Sequence, residues 1–195
     1  RKVKLHGSRG YTHIANLDIR RCSNQPKRLR VMYLSSFSNS DVKSPTNTLS
    51  AIIYQDWSIR LTAALAALPI DLICKPHPDF MLSGGEHPLS RFAKVINIPF
   101  EEVINEADVF VFDCFNSTTF WEAVCTDRKV VCIDVGNVKP NLAAQPLFEQ
   151  RCSMIGAKFD EQNRIHIDNE ELEEAIFTNA PLNSEDEFRS ILIGK

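Results

Sequence analysis

The chain has 195 residues, 44% of them hydrophobic and 24% charged, with a formal net charge of −3. That is enough chain for one well-buried core, and no apolar run approaches the roughly 18–20 residues of a membrane-spanning helix. The opening RKVKLHGSRGY is basic with no apolar stretch behind it, so it does not read as a secretory signal, and a soluble domain is expected.

The six cysteines, Cys22, Cys74, Cys114, Cys125, Cys132 and Cys152, form no C-x-x-C pair, and several sit in apolar runs. This is the usage of small buried hydrophobes in a reducing compartment, so a cytoplasmic protein without disulfides or a zinc site is expected. Charge is uneven along the chain. From Arg1 to Arg30 the only acid is Asp18, whereas Asp160 to Glu187 is dominated by acids. A basic arm can touch nucleic acid or anionic lipid. With no interleaved aromatics beyond Tyr11 and no nucleic-acid motif, it reads instead as a solvated linker or a surface facing another domain, and no nucleic-acid partner is expected.

Residues 1–28 carry no sustained periodicity and end in CSNQPKR, a linker or entry segment. A preceding N-terminal domain is expected, since the chain opens on Arg1. Residues 29–195 read as one domain. LRVMYLSSF gives a first strand over Leu29 to Ser35, apolar almost throughout as a strand buried on both faces is. SNSDVKSPTN is a polar loop in which Ser44-Pro45 marks a helix start. Apolar positions from about Thr48 to Leu68 then recur at helical spacing, predicting a long crossover helix. IDLIC is the second strand, KVINI the third, FEEVINEA a short helix and DVFVFD the fourth strand. STTFWEAVC opens a helix and KVVCID is the fifth strand, closed by Gly136. Beyond Pro140 come a helix over Ala144 to Gln150, a sixth strand near Met154 to Ala157, a hairpin-like RIHID, and acidic helices over Asn169 to Phe177 and Ser184 to Leu192. Strand and helix alternate, which predicts an α/β fold: a Rossmann-like, doubly wound parallel sheet of about six strands with helices on both faces.

In such a sheet, ligands bind beyond the carboxyl ends of the strands, near the switch in strand order. Three segments fall there: Ser35-Ser36-Phe37-Ser38, Lys75-Pro76-His77-Pro78, and DCFNSTTFWEA from Asp113 to Ala123. The prolines have no N–H to donate, and Pro78 biases His77 toward extended backbone, so His77 is held on a stiff peg. Asn116, Ser117, Thr118 and Thr119 put amide and hydroxyl groups at a helix start, where free N–H groups favour an anion. Plain capping competes with that reading: Thr119-x-x-Glu122 is a capping box, with Thr119 as the cap. Capping leaves Asn116, Ser117 and Thr118 unexplained. His77 also has the bland reading of a surface loop histidine. Asp113 and Asp134 end strands, and loop hydrogen bonding is expected of both. No P-loop, G-x-G-x-x-G, G-x-S-x-G or H-E-x-x-H is present, and His6, His13, His87 and His166 sit in separate contexts.

With LRVMYLSSF, LICKPHPD, EADVFVFDCFNSTTFWEAV and KVVCIDVG in that order, Leu29 to Gly136 resembles the C-terminal half of GT-B glycosyltransferases of bacterial surface-polysaccharide assembly. The likeness is to the Kdo transferases of capsule and lipopolysaccharide, the sialyltransferases with a His-Pro motif, and the CDP-glycerol glycerophosphotransferases. HGSRGY, His6 to Tyr11, looks like the segment by which such proteins enter this domain. The resemblance implies an inverting transferase whose donor is a nucleotide-activated sugar, most of all a CMP-linked one such as Kdo or sialic acid. UDP-sugar and CDP-glycerol donors stand as alternatives, and a noncatalytic nucleotide-binding or scaffold domain as an alternative of another class.

By the same resemblance His77, Ser117 and Thr118 hold the donor phosphate, with His77 assisting its departure. Ser36, Lys75, Asn116 and Glu122 complete the donor site, and no metal or other cofactor is expected. This sequence has NST after DCF where D-x-S-S is the family's commoner form. The acceptor saccharide and the catalytic base are expected on the N-terminal half. The whole enzyme is expected in the cytoplasm, at the inner face of the membrane if it associates peripherally.

Overall fold

The computed structural model describes residues 14, 28–35, 49–78, 86–115, 117–136, 145–178 and 185–193. Leu29–Ser35 forms β1, and Val31 to Ser35 are all buried. Because β1 is covered on both faces, its sequence shows a continuous apolar run rather than alternation. Ala51–Ala66 forms α1, started by Ser50, whose Oγ accepts from the Ile53 N–H. The Ser44-Pro45 signal lies outside the described residues. Tyr54, Trp57, Leu61 and Leu65 are the apolar stripe of α1, packed on one face of the sheet with Val31 and Tyr33.

Ile70–Pro76 forms β2, Lys94–Val95 β3, Val109–Phe112 β4, Lys129–Asp134 β5 and Cys152–Gly156 β6. Their order in the sheet is β3-β2-β1-β4-β5-β6, every pair parallel. This is the doubly wound Rossmann-like order, with its switch point between β1 and β4. β2 runs two residues past IDLIC, through Lys75 and Pro76. β3 pairs only with Ile73 and Cys74, so Pro76, which has no N–H, lies beyond the stretch where β3 needs one. KVINI is strand only over its first two residues. A loop of Asn97 to Pro99 follows it, then α2 over Phe100–Val103, continued by a 3₁₀ turn at Ile104–Glu106.

Thr118–Val124 is α3 and Gln145–Arg151 is α4, packed on the second face through Phe120, Trp121 and Phe148 in edge-on and tilted contacts of 5.4–5.9 Å. Lys158–Phe159 (β7) and Ile165–His166 (β8) form a separate antiparallel hairpin. Asn169–Phe177 (α5) covers the α1 face with Leu172 and Ile176, and Glu185–Ile193 (α6) inserts Phe188 into the aromatic cluster of the other face. Ile14 is fully buried in that second cluster, and its carbonyl accepts from Arg189 of α6. No helix among the described residues is long and apolar enough to cross a membrane.

Candidate functional site

The carboxyl ends of β1 and β2, the loop after β3 and the start of α3 enclose one cavity of about 740 Å³. That volume falls within the roughly 300–1,000 Å³ usual for small-molecule and cofactor sites. β2 delivers Lys75 and His77 to it, β1 delivers Ser35, and α3 delivers Ser117, Thr118 and Glu122. Sheet order explains the convergence: β2 lies beside β1, and β1 beside β4, whose link leads into α3. The strand ends after residues 35, 76 and 112 are therefore neighbours. His77 is half-buried, stepping off β2 between Pro76, buried and in register with Ser35, and the exposed Pro78.

Ser117, not Thr119, caps α3. Its backbone is extended (φ −88°, ψ 148°), and its Oγ accepts from the Phe120 N–H at 3.1 Å. The Thr119 hydroxyl donates to the same oxygen at 3.0 Å, which places Thr119 within the first turn and removes the capping-box geometry. A hydroxyl has two acceptor positions and one proton. Both acceptor positions of Ser117 are occupied, so what it has left to offer a ligand is its O–H donor. Thr118, exposed at the first helical position, carries an N–H with no partner inside the helix.

Charge in the cavity is mixed. Lys75 is only 7% exposed, and burial depresses its pKa, while Glu101 and Glu122 pull it back up. Glu122 is likewise 7% exposed. Among the described residues of the lining, one ammonium thus faces two carboxylates, an excess of negative charge before His77 is counted. The opposite wall is apolar, from Leu34, Ile98, Pro99 and Phe100. Glu101 and the Asn97 to Pro99 loop were not singled out in the sequence; they reach the site because β3 flanks β2, which no local pattern announces.

The remaining sequence candidates divide. Ser36, Asn116, His6 and His13 lie outside the described residues. Asp134 accepts from the Gly136 N–H at 2.8 Å, a loop hydrogen bond that Gly136 permits by adopting φ +75°. Asp113 accepts from the Tyr33 hydroxyl, 80 positions earlier in the chain. His87 is buried at the start of a 3₁₀ turn, where its Nδ1 accepts from the Leu89 N–H and burial lowers its pKa. His166 pairs with Asp160 at 2.9 Å across the β7–β8 hairpin. Among the described residues, Cys74, Cys114, Cys125, Cys132 and Cys152 form no disulfide, and no cluster of three His, Cys, Asp or Glu side chains could hold a metal ion.

No protein-family model matches the chain, and no curated protein does. Among solved structures it is similar to KpsC of Thermosulfurimonas dismutans, a beta Kdo 2,4 transferase, with a TM-score of 0.39 and 16% identity. That match covers 89% of this chain and 55% of that one. It is also similar to Os79 from O. sativa, solved with UDP and deoxynivalenol-3-glucoside, with a TM-score of 0.48 and 13% identity. There the match covers 86% of this chain and 36% of the other. The chain thus spans about half the length of the first and about a third of the second, and likeness at these identities concerns the fold alone.

Proposed function

We propose that this chain is the donor-binding half of an inverting GT-B glycosyltransferase whose substrate is a nucleotide-activated sugar. The observation that carries the reading is the cavity at the switch point, where His77, Lys75, Ser117 and Thr118 converge from two strand ends and a helix start. His77 and the Ser117 O–H are donors suited to phosphate oxygens. Glu101 and Glu122 are acceptors suited to sugar or ribose hydroxyls. Ile98 and Pro99 supply an apolar wall against which a base can lie.

The excess of carboxylate over ammonium among the described lining residues favours a donor with one phosphate over one with two, because each added phosphate charge repels Glu101 and Glu122 in a partly desolvated space. A CMP-linked sugar fits that condition better than a UDP-sugar or CDP-glycerol. In the reaction an acceptor hydroxyl loses its proton to a base on the other half, its oxygen forms the new bond to the anomeric carbon, and the bond from that carbon to the phosphate oxygen breaks. His77 and Ser117 then stabilise the departing phosphate, an effect that raises the rate because the charge develops in the transition state.

Calorimetric titration of the purified chain with CMP, CDP, UDP and GDP tests the reading. CMP is expected to bind most tightly. Tighter binding of UDP would reverse the donor assignment, and no binding of any nucleotide would contradict the site.

A further inference from the structure

On the face of the sheet that α1 covers lies a polar cluster that donor binding does not itself use. Tyr33 is fully buried in β1, and its hydroxyl donates to Oδ2 of Asp113 at 2.5 Å, across the switch point. Asp113 is 1% exposed. The Ser35 and Ser58 side chains lie near the same phenol and act to lower its pKa, so it sits among the end of β1, the middle of α1 and the end of β4. Burial and the Asp113 charge both push the phenol's pKa upward, which keeps it a donor.

Core packing alone does not call for this arrangement. A phenylalanine at 33 would fill nearly the same volume without burying a hydroxyl, and a buried hydroxyl and carboxylate cost stability unless they satisfy each other. What the pair does is fix a short link. Asp113 opens the stretch from β4 to α3; Phe115, two residues on, is buried edge-on against Phe120 with ring centroids 6.0 Å apart, and Ser117, two residues further, is the cap of α3.

We propose that Tyr33 and Asp113 form a buried latch holding the β4–α3 link where Ser117 meets the cavity, which makes Tyr33 a positioning residue for the phosphate subsite. The proposal rests on the donor-binding reading above. Ser35 brings the latch to the cavity wall, since it lies two positions beyond Tyr33 on β1 and lines the cavity.

The test is the ratio of CMP to cytidine affinity, measured by calorimetry with cytidine as a displacing competitor, in the natural chain and in Tyr33→Phe. A purely structural role would lower the unfolding midpoint and leave that ratio alone. The latch requires CMP affinity to fall by about tenfold while cytidine affinity holds, because only the phosphate contacts move. Asp113→Asn keeps an acceptor for the phenol and is expected to retain a ratio within about threefold of the natural chain. Where Tyr33→Phe folds poorly, Asp113→Ala, which removes that acceptor, is expected to show the same fall of about tenfold in CMP over cytidine affinity, and an unchanged ratio there would overturn the latch. An unchanged ratio in Tyr33→Phe, or a loss in Asp113→Asn as large as in Tyr33→Phe, would overturn the latch and leave donor binding standing. If the natural chain bound neither CMP nor cytidine, the donor-binding reading would fall and the latch with it.

Discussion

The two ends of the sheet use buried charge in opposite ways. At the amino end, Arg151 is 3% exposed and donates to the backbone carbonyls of Ala123, Val124, Thr126 and Arg128 at the C-terminus of α3 and the entry to β5. Arg30, second in β1, and Asp108, just before β4, form a forked pair, with Nε to Oδ2 at 3.1 Å and Nη2 to Oδ1 at 2.7 Å. Lys129 donates to the Ile176 and Thr178 carbonyls at the end of α5. At the carboxyl end, Lys75 and Glu122 are as deeply buried but border a cavity. Charge that closes helix and strand ends is structure. Charge that borders a cavity lies where a ligand would enter.

Breaking the amino-end arrangement should have the largest effect. Arg151→Leu leaves carbonyls of the α3 C-terminus without their donor and should destabilise the chain by about 3–5 kcal/mol, read from urea unfolding. Asp108→Ala removes the carboxylate from a half-exposed Arg30, and about 1.5–3 kcal/mol is expected by the same measurement. Losses below about 0.5 kcal/mol in both would erase the contrast between the two ends.

Lys75→Met sharpens it, since Lys75 too is a buried cation. Its pKa is depressed, so at neutral pH the folded state holds its proton less willingly than the unfolded chain does. The variant should therefore be no less stable than the natural chain at pH 7 while binding CMP more weakly. The sign with pH follows from the same depression. As pH climbs toward 10.5, Lys75 loses its proton in the folded state first, the natural chain gains stability through that window, and any advantage of the variant shrinks. A gap that widened with pH would refute the assignment. The smallest change in stability is expected from His77→Ala, close to none, since the ring is half-buried on a peg the prolines hold. Its nucleotide affinity should nevertheless drop by about 1.5–3 kcal/mol, the worth of a charged hydrogen bond.

The same contrast marks how far the sequence could be read. Runs such as LRVMYLS and KVVCID declare buried strands because both faces are covered, and with the alternating helices they yield the doubly wound sheet before any coordinates. The strand ends carrying Lys75, His77 and Ser117 were legible for the same reason: a polar residue directly after such a run falls at the carboxyl edge. Glu101 was not, because it reaches the cavity through the placement of β3 beside β2, a property of strand order. The α3 cap falls at Ser117 rather than at the Thr119 that T-x-x-E spacing predicts, because S-T-T offers three adjacent candidates and only backbone dihedrals separate them. Tyr33 and Asp113 meet across 80 positions, so neither announces the other.

The central claim is that ligand chemistry belongs to the carboxyl-end cavity. Amide chemical-shift mapping during titration with CMP tests it most directly. The largest shifts are expected at Ser35, His77, Ser117 and Thr118, with the amino-end residues Arg30, Asp108 and Arg151 unmoved. Shifts clustered instead in the groove between β6 and α5, at Ser153, Glu171 and Thr178, or no shifts at saturating CMP, would contradict it.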